Sequence, residues 1–262
     1  MLNRVCRALS AGALALAASA CGSDSSVAPN DHGADLNQIF AELWTSGLTA
    51  SVSTPRGVLS SFTVPAFVPS NCSYAAASKS FECPTQSLSG LSITQSYTLL
   101  DVNGAPQSAF DPATTASVHT NSSVKGALAI GTSHAAMDAQ DSRTLSGLLT
   151  GVHTLNGTST SKLSETSADS AGTQPYTSTT MSTIENLVLP DAASGNAHQW
   201  PVSGTITTES TSTLPELPDL PGFKTRTVMT FNGTSTVSIT MDDGFSIEHC
   251  TMDLATGTVA CT

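Results

Sequence analysis

The sequence predicts a mainly β protein: one large antiparallel meander sheet, curved or open-barrel-like, with a single N-terminal amphipathic helix packed on it. Three observations predict it. From Leu48 onward, short Thr/Val/Ile-rich runs alternate with turn residues, as half-buried strands do. Four dipeptides of the hairpin-turn kind, Asn103-Gly104, Asn156-Gly157, Asn232-Gly233 and Asp243-Gly244, punctuate those runs. Two cysteine pairs, Cys72/Cys83 and Cys250/Cys261, share one spacing of eleven residues, which suits a bridge across a hairpin.

Composition supports a folded, exported chain. Charged residues are 11% of the 262, well under the usual quarter. Hydroxyls carry the polarity instead, with 39 Ser and 37 Thr. Such richness can mean disorder, but disordered chains lack the 39% of hydrophobic residues found here. The 228 residues after position 34 suit one large β-domain, since sandwiches and barrels of that size need not divide.

The first element is an address label. Arg4 and Arg7 form a positive start, Leu9 to Ala18 an apolar core, and Ala18-Ser19-Ala20-Cys21 a close of small residues before a cysteine. The core is too short to span a bilayer, which takes roughly 20 apolar residues, so residues 1–20 read as a signal peptide. The last four residues resemble the lipobox of bacterial lipoproteins. That resemblance implies cleavage before Cys21, a diacylglycerol thioether on its sulfur, and a membrane-anchored product. Ala18 stands where a lipobox usually has Leu; plain cleavage after Ala20 would instead release a secreted or periplasmic protein. Residues 21–34 form the lipidated cysteine and a flexible tether of Ser, Asp, Gly, Pro and Asn, with an r.m.s. span of roughly 20 Å. Gly22 rather than Asp follows the cysteine, and by resemblance to lipoprotein sorting this implies the outer membrane.

Residues 35–262 form the single β-rich domain. Asp35 caps a helix in which Leu36, Ile39, Phe40, Leu43 and Trp44 share one face, and Gly47 stops it. Strands are expected at 48–54, 58–67, 71–76, 79–86, 90–101, 106–110, 114–120, 123–131, 142–155, 158–165, 176–188, 199–213, 224–231, 234–241, 245–252 and 257–262. The Ala-rich stretch 132–141 is able to form a helical turn. Pro215, Pro218 and Pro221 mark a stiff loop. Ser89-Gly90, Ser146-Gly147 and Ser203-Gly204 recur at intervals of 57 and are each expected to open a strand. Asn156-Gly-Thr-Ser-Thr160 recurs at 232–236, an interval of 76, so no regular repeat architecture is indicated.

Four cysteines remain after Cys6 leaves with the signal and Cys21 takes lipid. An even number in an oxidising compartment implies two disulfides, with three connectivities open. Local pairing is expected. A hairpin centred on 254–257 sets Cys250 opposite Cys261 and Met252 opposite Val259, with Gly257 at a φ > 0 position. The same register sets Cys72 opposite Cys83 and Tyr74 opposite Phe81, and puts Lys79 where the other hairpin has Gly257.

Chemistry is sparse. Loss of Arg4 and Arg7 takes the formal charge from −11 to −13, against nucleic acid or anionic lipid as electrostatic partners. The sequence has no nucleophile elbow, phosphate loop, zinc helix or dinucleotide fingerprint, and no cofactor or metal is expected. His134, Asp138 and Asp141 would share a side if 132–141 were helical, as metal or hydrolase raw material with His249; a solvated polar loop is the plainer reading. Asp242-Asp243-Gly244 begins like a calcium loop but lacks its closing Glu, and reads as a tight turn. Trp200-Pro201 reads as a core seal. Aromatics at 5% are too few for the girdles of a membrane-spanning barrel. The expected function is therefore that of a non-enzymatic envelope lipoprotein binding an apolar ligand or an envelope protein. At the level of fold it resembles lipoprotein carriers and open-barrel lipid-binding proteins. A structural or adhesive surface module and a hydrolase are the alternatives.

Overall fold

The computed structural model describes residues 71–88, 90–130, 133–169, 172–189, 200–213 and 223–262. The signal peptide, Cys21, the tether, the helix after Asp35, the strands expected at 48–54 and 58–67, and the proline loop lie outside them. Fourteen strands follow in order: β1 (Ser73–Ala75), β2 (Ser80–Glu82), β3 (Gln86–Leu88), β4 (Leu91–Leu100), β5 (Pro106–Gln107), β6 (Ser117–Ile130) and β7 (Ser133–Ser146). After these come β8 (Thr154–Asp169), β9 (Gly172–Val188), β10 (Ser203–Thr213), β11 (Phe223–Phe231), β12 (Thr236–Asp242), β13 (Ile247–Asp253) and β14 (Thr258–Cys261). All lie in one antiparallel sheet, ordered β1-β2-β4-β6-β7-β8-β9-β10-β11-β12-β13-β14, with β3 and β5 beside β4. The sheet is an open meander: β1 and β14 end the order and do not pair.

One face of the sheet is buried and the other open. On β4 the odd positions Leu91, Ile93, Tyr97 and Leu99 are buried, and their partners on β6 include Val124, Thr120 and Val118. Period-two alternation thus sorts side chains as expected for a sheet wet on one side. The largest apolar cluster runs from Leu145 and Leu155 through Ile184 and Leu187 to Phe231, Ile239, Cys250 and Met252. Trp200 packs half-buried against it, sealing that end of the core. Tyr97, Leu99 and Val118 make a second cluster with Phe81 and both cysteines of the first pair, and Leu91, Ile93, Val124 and Leu128 a third.

Several local expectations are corrected: 114–120 and 123–131 join as β6, and 79–86 divides into β2 and β3. The stretch 132–141 is not a helical turn: from Ser133 it is β7, whose register with β6 is unbroken from Ser117↔Ser146 to Ile130↔Ser133. The expected strand 142–155 is two strands, because the chain turns between Ser146 and Thr154. Ser146-Gly147 therefore ends β7 instead of opening a strand, with Gly147 at φ 84°. Asn156-Gly157 is not a turn but lies inside β8.

That last pair has a different purpose. Ile184 and Leu187 are both buried although three residues apart, which a regular strand forbids. A bulge at Glu185–Asn186 resolves the conflict: the register slips between Leu155 and Gly157 on one side and between Ser203 and Thr205 on the other. Asn186 sits at φ 50° and donates its N–H to the Asn156 side-chain oxygen at 2.7 Å. Across from it Gly204, at φ 112°, leaves the space that a Cβ would take from the Asn186 carbonyl oxygen and Leu187 Cα, 2.5 Å away.

The outermost hairpins are the cysteine hairpins, and both fold as the spacing predicts. Cys72–Cys83 and Cys250–Cys261 are disulfides. Tyr74 faces Phe81 and Met252 faces Val259. The Thr262 N–H bonds the His249 carbonyl, so Cys250 and Cys261 occupy the adjacent non-hydrogen-bonded position, where strands approach closely; their Cα atoms are 4.0 Å apart. Gly257 has φ 74° and Lys79 φ 54°. A lysine in the left-handed region costs about 1–2 kcal/mol, which glycine's greater chain entropy partly cancels. Lys79→Gly is accordingly expected to stabilise the protein by about 0.5–1 kcal/mol in urea unfolding. A lowered midpoint would show that the Lys79 side chain contributes more than its backbone costs.

Candidate functional site

The two faces present different chemistries. On the open face, β4, β6, β7 and β8 align two rows of small polar side chains. Ser96, Asn121, Ser142 and Thr158 face one another across successive strands; Thr94, Ser123, Gln140 and Thr160 form the neighbouring row. They line a groove of about 720 Å³, walled by Ser78, Ser80 and Glu82 of the first hairpin. Neither row carries a formal charge. Charge flanks them: the Glu82 carboxylate on β2 faces Ser96 at the end of the first row, and one row further along Lys125 pairs with Asp138 at 3.2 Å. Among the described residues, no hydrogen bond within the protein engages the eight side chains of these rows. The Ser78 hydroxyl in the wall does have a partner, donating to Glu82 Oε1 at 2.8 Å.

Hydroxyls on the buried face behave differently. Ser178, Ser182, Ser210 and Ser212 are buried and satisfy one another or neighbouring threonines, with Ser212 donating to Ser178 at 3.2 Å and Ser182 3.3 Å from Thr208. Burial favours such pairing, although the buried hydroxyls of Thr120 and Ser159 make no such bond among the described residues, and the more exposed Thr177 and Thr213 pair at 2.7 Å.

The buried face also holds an ion pair. Arg143 and Asp141, two apart on β7, point the same way, and Asp141 Oδ2 accepts from Arg143 Nε at 2.9 Å and lies 2.8 Å from the second guanidinium nitrogen. The Arg143 side chain is only 6% exposed. Gly157 lies opposite it on β8 because a Cβ there would meet Arg143 Cγ at 2.7 Å and the Ser142 carbonyl oxygen at 2.6 Å. Burial pushes the Asp141 carboxyl above the ordinary range, with Arg143 opposing, and pulls the guanidinium down.

The histidines and acids considered as hydrolase or metal residues do not converge. His134 and Asp138 are on the open face of β7 while Asp141 is on the buried face, since a strand alternates where a helix would have aligned them. His249 is on the open face of β13, six strands away in the sheet order. The thiol beside it is consumed in the Cys250–Cys261 bond. Glu248 lies close to that disulfide, but oxidised sulfurs are not thiolate ligands. At 242–244 the acids close a turn: Asp243 Oδ1 accepts from the Phe245 and Ser246 N–H groups at 2.9 and 2.7 Å, which with a further bond from the Ser246 hydroxyl holds its carboxyl below the usual range. Asp101, Asp111 and Asp253 bond the backbone of their own turns likewise.

Nothing in the one-dimensional sequence singles out the groove. Its residues come from four strands, each contributing a short Ser/Thr/Asn/Gln alternation common throughout the chain, and only the register brings them together. The Asp141/Arg143 pair had a faint signal: opposite charges two apart, just before Leu145, in a chain poor in charge. The chain matches no protein-family model, no curated protein and no solved structure.

Proposed function

We propose that this chain is a lipid-anchored envelope protein, held through Cys21, whose β-module is a non-enzymatic adhesive or scaffolding surface. The observation that carries the reading is the pair of edge disulfides. Such bonds persist in oxidising compartments outside the cytoplasm, and the lipobox-like close at Ala18–Cys21 supplies a route there. Outer-membrane delivery follows from Gly22 by the same resemblance. The tether 21–34 lets the module stand off the bilayer.

The adhesive reading has more support than apolar-ligand carriage. The apolar band across β7 to β14 is filled by the protein's own side chains, Leu155, Leu187 and Val237 being fully buried. The groove offers hydroxyls and amides instead. Mass spectrometry of the mature protein tests the anchor: the N-terminal peptide is expected to begin at Cys21 and to carry a diacylglycerol mass. An unmodified N-terminus at Cys21 would reduce the proposal to simple secretion, and an uncleaved chain would remove it.

A further inference from the structure

We propose that the groove over β4, β6, β7 and β8 binds a neutral glycan chain, an inference that rests on the adhesive reading and names its partner. The four strands are interior to the sheet and each is paired on both sides. A peptide therefore cannot add to them by strand pairing, and only side chains are on offer. Those side chains include no aromatic or aliphatic anchor of the kind that protein interfaces are built around. They also include no cation, so an anionic partner meets no counter-charge in a chain of net charge −11.

What remains is matched to hydroxyls. Each Ser and Thr hydroxyl both donates and accepts, and the Asn121 and Gln140 amides each present a donor and an acceptor side by side. Asn121 and Gln140 lie in adjacent rows on adjacent strands, so their amides sit diagonally, near enough to engage successive hydroxyls of one chain. Because these groups are uncommitted within the protein, among the described residues, a glycan displaces only water from them. Without aromatic stacking each site is weak, about millimolar. Many copies anchored on one membrane convert such sites into firm adhesion through effective concentration.

The test uses the full-length chain in detergent, with soluble dextran in native affinity electrophoresis and with cellulose and chitin in pull-down. Retention by at least one of the three is expected, and the chitin arm separates an N-acetylated glycan from a purely hydroxylated one. Asn121→Ala and Gln140→Ala are each expected to weaken retention about fivefold, the loss of roughly one hydrogen bond. Ser238→Ala, on the open face of β12 away from the groove, is expected to leave it unchanged. All three positions lie on the open face, and unaltered thermal melts check that the fold is kept. Absence of retention by all three glycans overturns the proposal. So does retention that both groove substitutions leave intact. Since an unlipidated Cys21 leaves retention in detergent unaffected, failure of the anchor and failure of this site read separately.

Discussion

Replacing Asp141 by Ala is expected to destabilise the protein by about 3–5 kcal/mol, the cost of leaving a buried cation without its partner. Asp141 is the one anion within reach of Arg143 among the described residues. The guanidinium is almost wholly buried, and Gly157 shapes the space it occupies. Asp141→Asn keeps an acceptor and should cost less. Asp141→Leu combined with Arg143→Met should be milder than Asp141→Ala alone, because apolar groups of similar volume replace a desolvated pair. The pH dependence has a definite sign. With its carboxyl raised by burial, the native protein holds the Asp141 proton to higher pH than the unfolded chain does. Its contribution to stability is therefore present at low pH and declines as the pH climbs from about 4, the unfolded value, through the raised folded value. Urea unfolding of wild type and Asp141→Asn across that range would show the decline in the first and its loss in the second. A cost under about 1 kcal/mol for Asp141→Ala would mean that water reaches Arg143 in solution.

Local rules made the hairpins readable and long-range register made the site unreadable. Cys72/Cys83 and Cys250/Cys261 could be paired in advance because a turn of known type fixes both faces of a two-stranded unit. Even the awkward position of Lys79 followed. The same reasoning misassigned Asn156-Gly157, since a turn dipeptide carries no mark distinguishing a hairpin from a strand whose neighbour has a bulge. Gly157 answers to the bulk of Arg143 and Asn156 to the free N–H of Asn186, and both causes lie on other strands. The stretch 132–141 failed for a related reason. Ala-rich segments favour helix when isolated, but two long neighbours, β6 and β8, impose strand pairing on it. The groove was invisible because no single segment contains it. Four registers must be known before Asn121 is seen to stand beside Ser96 and Ser142.

Removal of either edge disulfide is expected to cost about 3 kcal/mol by the loop-closure estimate for a short loop. For a domain of this size that is a fall in melting temperature of roughly 6–12 °C. Cys72→Ser with Cys83→Ser, and Cys250→Ser with Cys261→Ser, isolate the two bonds. Their effects should add, because β1–β2 and β13–β14 stand at opposite ends of the strand order and belong to different apolar clusters. The second pair should cost slightly more, since Cys250 is buried against the main core and a serine hydroxyl there lacks the sulfur's apolar contacts. Stability is only part of what the bonds do. Among the described residues the sheet does not close and ends in two edges, and an exposed edge strand recruits others. Strands β1 and β14 are only three and four residues long, too short to hold their register unaided, and each disulfide pins its edge to the neighbouring strand. Calorimetry of the oxidised and reduced protein, with light scattering alongside, checks both consequences. Reduction should lower the melting temperature and bring concentration-dependent association, and the quadruple variant should do so without reductant. Unchanged melting and a monodisperse reduced protein would show that the edges are guarded by something other than their disulfides.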